Sequence, residues 1–303
     1  MNTKSKFTII GFGKLGQAIA NILERKKESC EVCSWDVVET GDPRQMPSLN
    51  EAVAGTDVIF FSVPSKFFRE AVSKLGLLPP EIILVSCTKG FDAPALKFPF
   101  EILKEFCPKN TIGVISGPML SEELEENLPT RTMLASDNSA EIKKVADLFS
   151  GTNLSLEQSE DLIGVSFLGI LKNVYALTLG LSDGLDLGSN FKACLTLQAL
   201  REMELIIIKS GGKKESLMSF AGISDFLATG YYFKSRNYTF GFRKAKNESL
   251  EGIMAEGAAN IENVISKIGN VEEYPLLKMI KRIFLEGINP RVIIDVIKFI
   301  ERI

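Results

Sequence analysis

Residues 7–24 have the sequence FTIIGFGKLGQAIANILE, and this stretch decides the fold of the chain. A short apolar strand runs into the motif G-x-G-x-x-G, and a helix with apolar residues at helical spacing follows. In such a unit the glycines permit a tight turn, close approach of a pyrophosphate and close helix–strand packing, and the helix N-terminus attracts phosphate. The stretch predicts a dinucleotide site, with a tight turn that binds nothing as the alternative. The predicted cofactor-binding residues in it are Gly11, Gly13, Lys14, Leu15 and Gly16.

The second predicted strand, Glu31 to Trp35, ends at Asp36, twenty residues beyond Gly16. An acid at this point accepts hydrogen bonds from the adenosine ribose hydroxyls and repels a 2′-phosphate. The first basic residue after it is Arg44. We therefore expect NAD to be favoured over NADP.

Strands and helices then alternate, with strands expected at 7–10, 31–35, 58–62, 82–87, 111–115, 130–135 and 153–156. This alternation predicts an α/β, Rossmann-like, doubly wound and mainly parallel sheet. Ligands bind such sheets at the carboxyl ends of the strands. There we expect one crevice, with Lys89 as a ligand contact or, alternatively, as a solvated loop lysine. The residues at those ends are Gly11, Val63, Pro64, Thr88, Lys89, Gly117 and Pro118.

From about Glu160 the strands stop and helices follow, expected at 163–181, 190–210, 258–268, 275–285 and 290–300. Asn190 and Asn289 are expected N-caps, and Pro290 fits a first helical position. The chain is thus expected to form a dinucleotide-binding domain, residues 1–158, and an all-α substrate and catalytic domain, residues 159–303.

The first of these helices, IGVSFLGILKNVYALTLGL at 163–181, is apolar on every side and carries one charged residue, Lys172. A lysine at the centre of a membrane span costs ~3 kcal/mol, so we expect a buried helix of a folded domain rather than a span. Burial disfavours the charged form of a lysine, which suits the residue to proton transfer. The alternative is a lysine at the helix edge whose ammonium reaches water.

Composition removes several classes of function. A net charge of -3 gives no bulk attraction to nucleic acid or anionic lipid. The chain has no histidine, which excludes Ser-His and Cys-His nucleophile pairs and histidine-based metal sites; we expect no metal. Five cysteines, an odd number, and a polar start without a signal peptide predict a cytoplasmic protein with reduced thiols.

The tripeptide Ser235-Arg236-Asn237 offers three hydrogen-bonding side chains in a row, one of them always charged. Such a set suits a phosphate or a carboxylate. The alternative is a helix cap beside a surface arginine.

Taken together, the motifs resemble those of the bacterial-type NAD(P)-dependent glycerol-3-phosphate dehydrogenases. The family marks appear in order over nearly the whole chain: GFGKLGQAIA, VPS, TKG, SGP, LKN, SRN and EG. The resemblance implies that Lys172 of LKN is the general acid–base and that Lys89 of TKG contacts cofactor and substrate. It implies substrate contacts by Gly117, Asp225, Ser235, Arg236 and Asn237, with Asp225 also steadying Lys172. It implies cofactor contacts by Pro64, Arg236, Met254 and Glu256.

The chain also departs from the family pattern. Met119 stands where the family usually has Ser or Thr, at a substrate-binding position, and Ser121 replaces a usual alanine near the cofactor. Lys14-Leu15 replaces a Ser-aromatic pair, and Val37 stands near the place of a usual basic residue. The segment between the second and third strands is shorter than usual. These changes bear on cofactor preference, rate and substrate.

The implied reaction is hydride transfer from NADH to C2 of dihydroxyacetone phosphate, which supplies glycerol 3-phosphate for phospholipid synthesis. Two alternatives stay open: a sister two-domain dehydrogenase for another small oxo-acid or oxo-phosphate, and a nucleotide-binding regulator without catalysis. The expected partner is a small phosphorylated substrate, with no nucleic acid and no membrane insertion. An apolar helical domain permits a homodimer but does not require one.

Overall fold

The computed structural model describes residues 5–25, 30–93 and 95–296. Contacts within the chain divide it into two compact units, Met1–Ser166 and Phe167–Ile303, and each is described by itself. The domain limits predicted from the sequence, 1–158 and 159–303, stay a proposal.

The strands of the first unit are β1 (Ser5–Ile10), β2 (Cys30–Trp35), β3 (Val58–Phe61), β4 (Ile83–Ser86), β5 (Ile112–Ser116), β6 (Thr130–Ser136) and β7 (Leu154–Ser159). They form one seven-stranded sheet in the order β2-β1-β3-β4-β5-β6-β7. Neighbouring strands are parallel except β5 and β6, which are antiparallel. The prediction of a doubly wound, mainly parallel sheet is confirmed.

The described helices of this unit are α1 (Lys14–Glu24), α2 (Leu49–Val53), α3 (Ser65–Ser73), α4 (Pro99–Phe106), α5 (Ser121–Glu125) and α6 (Ser139–Leu148). Every residue of β3, β4 and β5 is buried, as is usual for central strands whose two faces are both covered. Because both faces of β3, β4 and β5 are covered, their sequences are continuous apolar runs rather than alternating apolar and polar residues.

The helical half contains α7 (Leu162–Gly184), α8 (Gly188–Lys209), α9 (Asp225–Gly230), α10 (Arg236–Lys246), α11 (Glu256–Ile268) and α12 (Pro275–Phe284). A π-helical turn, Phe220–Ser224, leads into α9. By length and hydropathy α7 is the one described helix that could cross a membrane, yet 94% of its apolar window is buried within the protein. This is the burial expected of a core helix.

Two helices of the second unit touch through their backbones. A Cβ atom built on Gly180 of α7 would lie 2.0 Å from the carbonyl oxygen of Tyr238 in α10. One built on Gly241 of α10 would lie 1.9 Å from the carbonyl oxygen of Leu177. Only glycine permits this approach, so α7 and α10 are held at a fixed, short distance.

A buried carboxylate joins α7, α8 and α12 of this unit. Glu202 of α8 accepts hydrogen bonds from the backbone N–H groups of Leu276 (2.6 Å) and Leu277 (2.9 Å) in the first turn of α12. It also accepts from the hydroxyl of Tyr175 at 2.9 Å and from the amide of Gln198 at 2.8 Å. The Glu202 carboxylate therefore accepts hydrogen bonds from backbone N–H groups in the first turn of α12, which have no partner within that helix.

Some predictions for this half were wrong. Asn190 is not an N-cap: Gly188, with φ +78°, turns the chain into α8 two residues earlier, and Leu187 is the N-cap. The cap at Asn289 is confirmed, since its side chain accepts from the N–H of Arg291 at 2.9 Å. The helix expected at 290–300 is a 3-10 helix over Pro290–Asp295, and residues 297–300 lie outside the described chain. Helices α4, α5, α9 and α10 were not predicted from the sequence.

Candidate active site

The glycine loop has the geometry that the motif predicts. Gly11 has φ +89°, and a Cβ on it would lie 2.8 Å from the carbonyl carbon of Ser62, at the end of β3. A Cβ on Gly16 would lie 2.2 Å from the carbonyl oxygen of Gly11. At Gly13, by contrast, no described atom lies within 4 Å of a built Cβ. The loop is therefore closed against the sheet and open at the start of α1, where a pyrophosphate would bind.

The loop lies where the order of the strands reverses. The chain passes from β1 to β2 on one side and then to β3 on the other side of β1. In open α/β sheets the ligand crevice forms at such a point, beyond the carboxyl ends of the strands. Gly11 directly follows β1, so the loop is at the entrance of that crevice.

The predicted ribose acid is held by backbone donors. Asp36 accepts from the N–H of Phe12 at 2.6 Å and from the N–H of Val38 at 2.9 Å, one bond to each carboxylate oxygen. Each oxygen keeps a lone pair for a further donor. Asp36 is thus oriented beside the glycine loop without any ligand.

The first basic residue after Asp36 in the sequence, Arg44, is already paired with acidic side chains. Arg44 donates to both oxygens of Asp42, at 2.8 and 2.7 Å, and to Asn21 at 2.8 Å and Glu24 at 3.3 Å. Its guanidinium carbon lies 5.1 Å from the centre of the Phe12 ring. The hydrogen bond from Arg44 also lowers the pKa of the Asp42 carboxyl, so the pair stays charged.

The ends of β3, β4 and β5 come together as expected. The hydroxyl of Thr88 donates to the carbonyl oxygen of Val63 at 2.7 Å, and the ammonium of Lys89 donates to the carbonyl oxygen of Gly117 at 3.1 Å. Pro64 is exposed at the start of α3. Lys89 is half-buried on this rim, so it is not the freely solvated loop lysine of the alternative.

The unusual residues of this unit lie around the same edge. Lys14 forms an exposed ion pair with Glu122 at 2.9 Å, and the hydroxyl of Ser121 lies 3.2 Å from the same carboxylate. Leu15 and Met119 are partly buried and pack against the hydrophobic core of the first unit. The thioether at 119 thus contributes to core packing.

The second unit encloses Lys172 in a polar cluster. The lysine is 7% exposed, and its ammonium donates to Asp225 at 3.0 Å and to the hydroxyl of Thr229 at 2.6 Å. Asp225 and Thr229 are also buried and stand four residues apart on α9, so they face the same side of that helix. The sequence analysis missed Thr229; its spacing from Asp225 is the signal that could have found it.

The residue after Lys172 starts a second network. Asn173 accepts from the side-chain amide of Asn237 at 2.8 Å and lies 3.2 Å from Glu256. Asn237 in turn accepts from the backbone N–H of Gly257 at 2.8 Å. A Cβ on Gly257 would lie 2.1 Å from the carbonyl oxygen of Asn173. These contacts bring α7, α10 and α11 together around the neighbours of Lys172.

Arg236 precedes this network at the start of α10, where helix donors favour an anion. Its exposed side chain makes no hydrogen bond or ion pair within the part of the second unit that the structure describes. Ser235 beside it is buried. Met254 is 77% exposed just before α11. Arg236 is thus available to a ligand, and the residue after it, Asn237, contacts the residue after Lys172.

A glycine-loop sheet with an acid after its second strand, and a helical unit with a buried Lys–Asp pair, define a nicotinamide-dinucleotide-dependent dehydrogenase. Two family models agree with this class. The C-terminal model of NAD-dependent glycerol-3-phosphate dehydrogenase matches residues 161–295, and the N-terminal model matches residues 42–142.

Known proteins are similar over the whole chain. The glycerol-3-phosphate dehydrogenase [NAD(P)+] of Synechocystis sp. is 32% identical over 95% of this chain and 92% of its own length. That of Pseudomonas paraeruginosa is 30% identical over 100% and 96%. The solved glycerol-3-phosphate dehydrogenase of Coxiella burnetii has a TM-score of 0.87 and 29% identity, covering 98% of this chain and 99% of its own. The chain belongs to the NAD-dependent glycerol-3-phosphate dehydrogenase family.

Proposed function

We propose that this chain catalyses reversible hydride transfer between a nicotinamide cofactor and dihydroxyacetone phosphate, giving sn-glycerol 3-phosphate for phospholipid synthesis. One observation carries the proposal: the buried ammonium of Lys172 is held by Asp225 and Thr229, and the next residue, Asn173, is hydrogen-bonded to Asn237, which directly follows the exposed Arg236. The family membership of the chain supports the same reaction.

Lys172 is the general acid in this proposal. When hydride reaches C2, negative charge develops on the carbonyl oxygen, and the ammonium stabilises it and donates a proton. Asp225 and Thr229 hold the ammonium in place by two hydrogen bonds, at 3.0 and 2.6 Å. Without histidine in the chain, a buried lysine is the cationic acid available to this chemistry.

The phosphate is assigned to Ser235 and Arg236 at the start of α10. A guanidinium and a helix N-terminus both favour a dianion. Asn237 uses its carbonyl oxygen and one amide N–H inside the protein, so at most one N–H is left for the phosphate. Its main task is then to hold α10 against α7 and α11. Lys89 and Gly117 of the first unit are assigned to the substrate as well.

The bound cofactor supplies the hydride; NAD is proposed over NADP. Gly11, Gly13, Lys14, Leu15 and Gly16 hold its pyrophosphate, and Asp36 accepts from its ribose. A 2′-phosphate would meet the Asp36 carboxylate, and the first basic residue after Asp36 in the sequence, Arg44, is neutralised by Asp42 and Glu24. The remaining proposed cofactor contacts are Pro64, Lys89, Ser121, Arg236, Met254 and Glu256.

A homodimer is proposed through the exposed stripe of α8. Leu197, Leu205 and Ile208 are 51%, 47% and 45% exposed, and with Cys194 and Arg201 they recur every three or four residues along one helix face. A second copy can cover such a stripe by antiparallel helix packing. Sedimentation of the wild type and of Leu205→Glu tests this, since the charge should give monomers.

All five cysteines are free, which fits the proposed cytoplasmic location.

The test of the reaction is NADH oxidation with dihydroxyacetone phosphate, run in parallel with NADPH, ketopantoate and 3-hydroxyacids. We expect turnover with dihydroxyacetone phosphate and a loss of at least ~100-fold in kcat for Lys172→Ala. Arg236→Ala should mainly raise the KM for dihydroxyacetone phosphate. Preference for another oxo-acid would indicate the sister dehydrogenase, and NADH binding without turnover of any substrate would indicate the regulator.

A further inference from the structure

The sequence DGLDLGSNFKA, residues 183–193, comprises the end of α7, a three-residue turn and the beginning of α8, and the proposed reaction gives it no role. Its first and tenth residues form an ion pair: the ammonium of Lys192 donates to Asp183 at 2.6 Å. The side chain of Lys192 is only 12% exposed, so this ammonium is largely shielded from water.

Two tyrosine rings surround the same ammonium. Its nitrogen lies 4.5 Å from the centre of the Tyr231 ring and 5.2 Å from that of the Tyr238 ring, within cation–π range. The hydroxyl of Tyr238 donates to Asp183 at 2.6 Å, and that of Tyr231 lies 2.9 Å from the hydroxyl of Thr196. Burial and the Asp183 carboxylate raise the pKa of Tyr238, so the phenol keeps its proton and remains a donor.

Tyr231 and Tyr238 are the first and last residues of one short segment, 231–238. This segment also contains Ser235, Arg236 and Asn237. Both ends are thus attached to Lys192, and through Asp183 to α7, the helix of Lys172. We propose that Lys192 is a positioning residue for the phosphate site. It fixes both ends of segment 231–238 and thereby orients the side chain of Arg236. This inference rests on the proposed function, since it concerns the same phosphate.

The arrangement requires a cation rather than any long side chain. Lys192→Met keeps an unbranched stem that fills similar space but removes the attraction to both rings and to Asp183. Lys192→Arg keeps the charge and stacks on aromatic rings. Tyr231→Phe keeps the ring, whereas Tyr231→Leu removes it. Lys246 is a matched control, because it pairs with Asp186 at 2.8 Å and lies 5.9 Å from a ring centre, yet stands outside segment 231–238.

The experiment is steady-state kinetics of these variants with dihydroxyacetone phosphate and NADH. We expect Lys192→Met and Tyr231→Leu to raise the KM for dihydroxyacetone phosphate about tenfold, with kcat within about twofold of the wild type. Lys192→Arg, Tyr231→Phe and Lys246→Met should keep the wild-type KM. A merely structural role would lower the active fraction and hence kcat, without a change in KM. An unchanged KM in both Lys192→Met and Tyr231→Leu overturns the proposal.

Calorimetric titration with inorganic phosphate gives the same comparison without turnover. Lys192→Met should bind phosphate about tenfold more weakly than the wild type and Lys246→Met. Equal affinities would overturn the positioning role. A wild type that binds phosphate but does not reduce dihydroxyacetone phosphate would instead overturn the proposed function, and the titration of Lys192→Met would still decide the role of Lys192.

Discussion

Removal of the Thr229 hydroxyl tests the catalytic cluster directly. Thr229→Val replaces the hydroxyl that accepts from the Lys172 ammonium at 2.6 Å, shorter than the 3.0 Å contact to Asp225. A hydrogen bond to a charged group contributes about 1.5–3 kcal/mol. If the bond positions the ammonium in the transition state, that loss corresponds to a fall in kcat of about 10- to 150-fold.

The assay is NADH oxidation at saturating dihydroxyacetone phosphate. The KM for NADH should stay unchanged, because Thr229 contacts the Lys172 ammonium and is not one of the proposed cofactor contacts. Thr229→Ser keeps a hydroxyl and should retain most of the rate. Thr178→Val is the matched control: Thr178 is fully buried and donates to a backbone oxygen of its own helix at 2.7 Å, so it tests the general cost of removing a buried hydroxyl.

If Thr229→Val and Thr178→Val both keep kcat within twofold of the wild type, the Thr229 hydroxyl does not position the ammonium in the transition state. A loss of kcat in both variants, together with a lower Tm in both, would assign the effect to stability.

Three further predictions concern other parts of the chain. Gly257→Ala should lower kcat/KM by at least about tenfold, because its Cβ would lie 2.1 Å from the Asn173 carbonyl oxygen and must displace the network beside Lys172. Glu202→Gln should lower the free energy of unfolding in urea by about 1–3 kcal/mol, because an amide turns one buried acceptor into a donor that faces other donors. Hydrogen bonds from Arg69 lower the pKa of Glu105 to about 2, so its stabilising effect is present above the ordinary carboxyl pKa and is lost as pH falls towards 2. The Tm difference between the wild type and Glu105→Gln should therefore shrink on going from pH 6 to about pH 2.

Each of these has a clear contrary outcome. A Gly257→Ala enzyme with wild-type kinetics would mean that α11 can move away from α7 at no cost. Equal urea midpoints and slopes for the wild type and Glu202→Gln would show that the carboxylate at α12 adds nothing to stability. A constant Tm difference from pH 6 to pH 2 would mean that Glu105 makes no charge-dependent contribution.

The sequence was sufficient for the fold class because its signals are local. The glycine loop, the apolar runs of the central strands and the all-apolar helix around Lys172 each have a period or length that identifies them. Lys172 could be found because a charge in such a helix is exceptional.

The helix α10 was missed because its apolar face is made by few side chains in a mostly polar sequence. RNYTFGFRKAK is mostly polar, and its closest contact to α7 is made by the backbone at Gly241. A glycine contact adds no apolar side chain to the periodicity, so the segment looked like a polar interruption. Asn190 was misjudged for a related reason: its residue type suits a cap, but the turn at Gly188 starts the helix earlier.

Individual site residues could be predicted from the sequence, but the contacts between their side chains could not. Lys172 and Asp225 are far apart in sequence, and only the fold puts Thr229 against the same ammonium. The occupation of Arg44 by Asp42 and Glu24 likewise depends on how the loop after β2 folds. Side-chain pairing across elements has no sequence period, so it had to be read from the structure.

The contact of α7 with α10 at Gly180 and Gly241 limits how this enzyme can acquire a new substrate. Where two main chains touch, no rotamer can be exchanged to widen or narrow the gap between the helix of the ammonium and the helix of the guanidinium. A ligand longer or shorter by one carbon cannot be accommodated by repacking there. Laboratory evolution towards other phosphorylated ketones should therefore collect its substitutions elsewhere, and leave both glycines untouched.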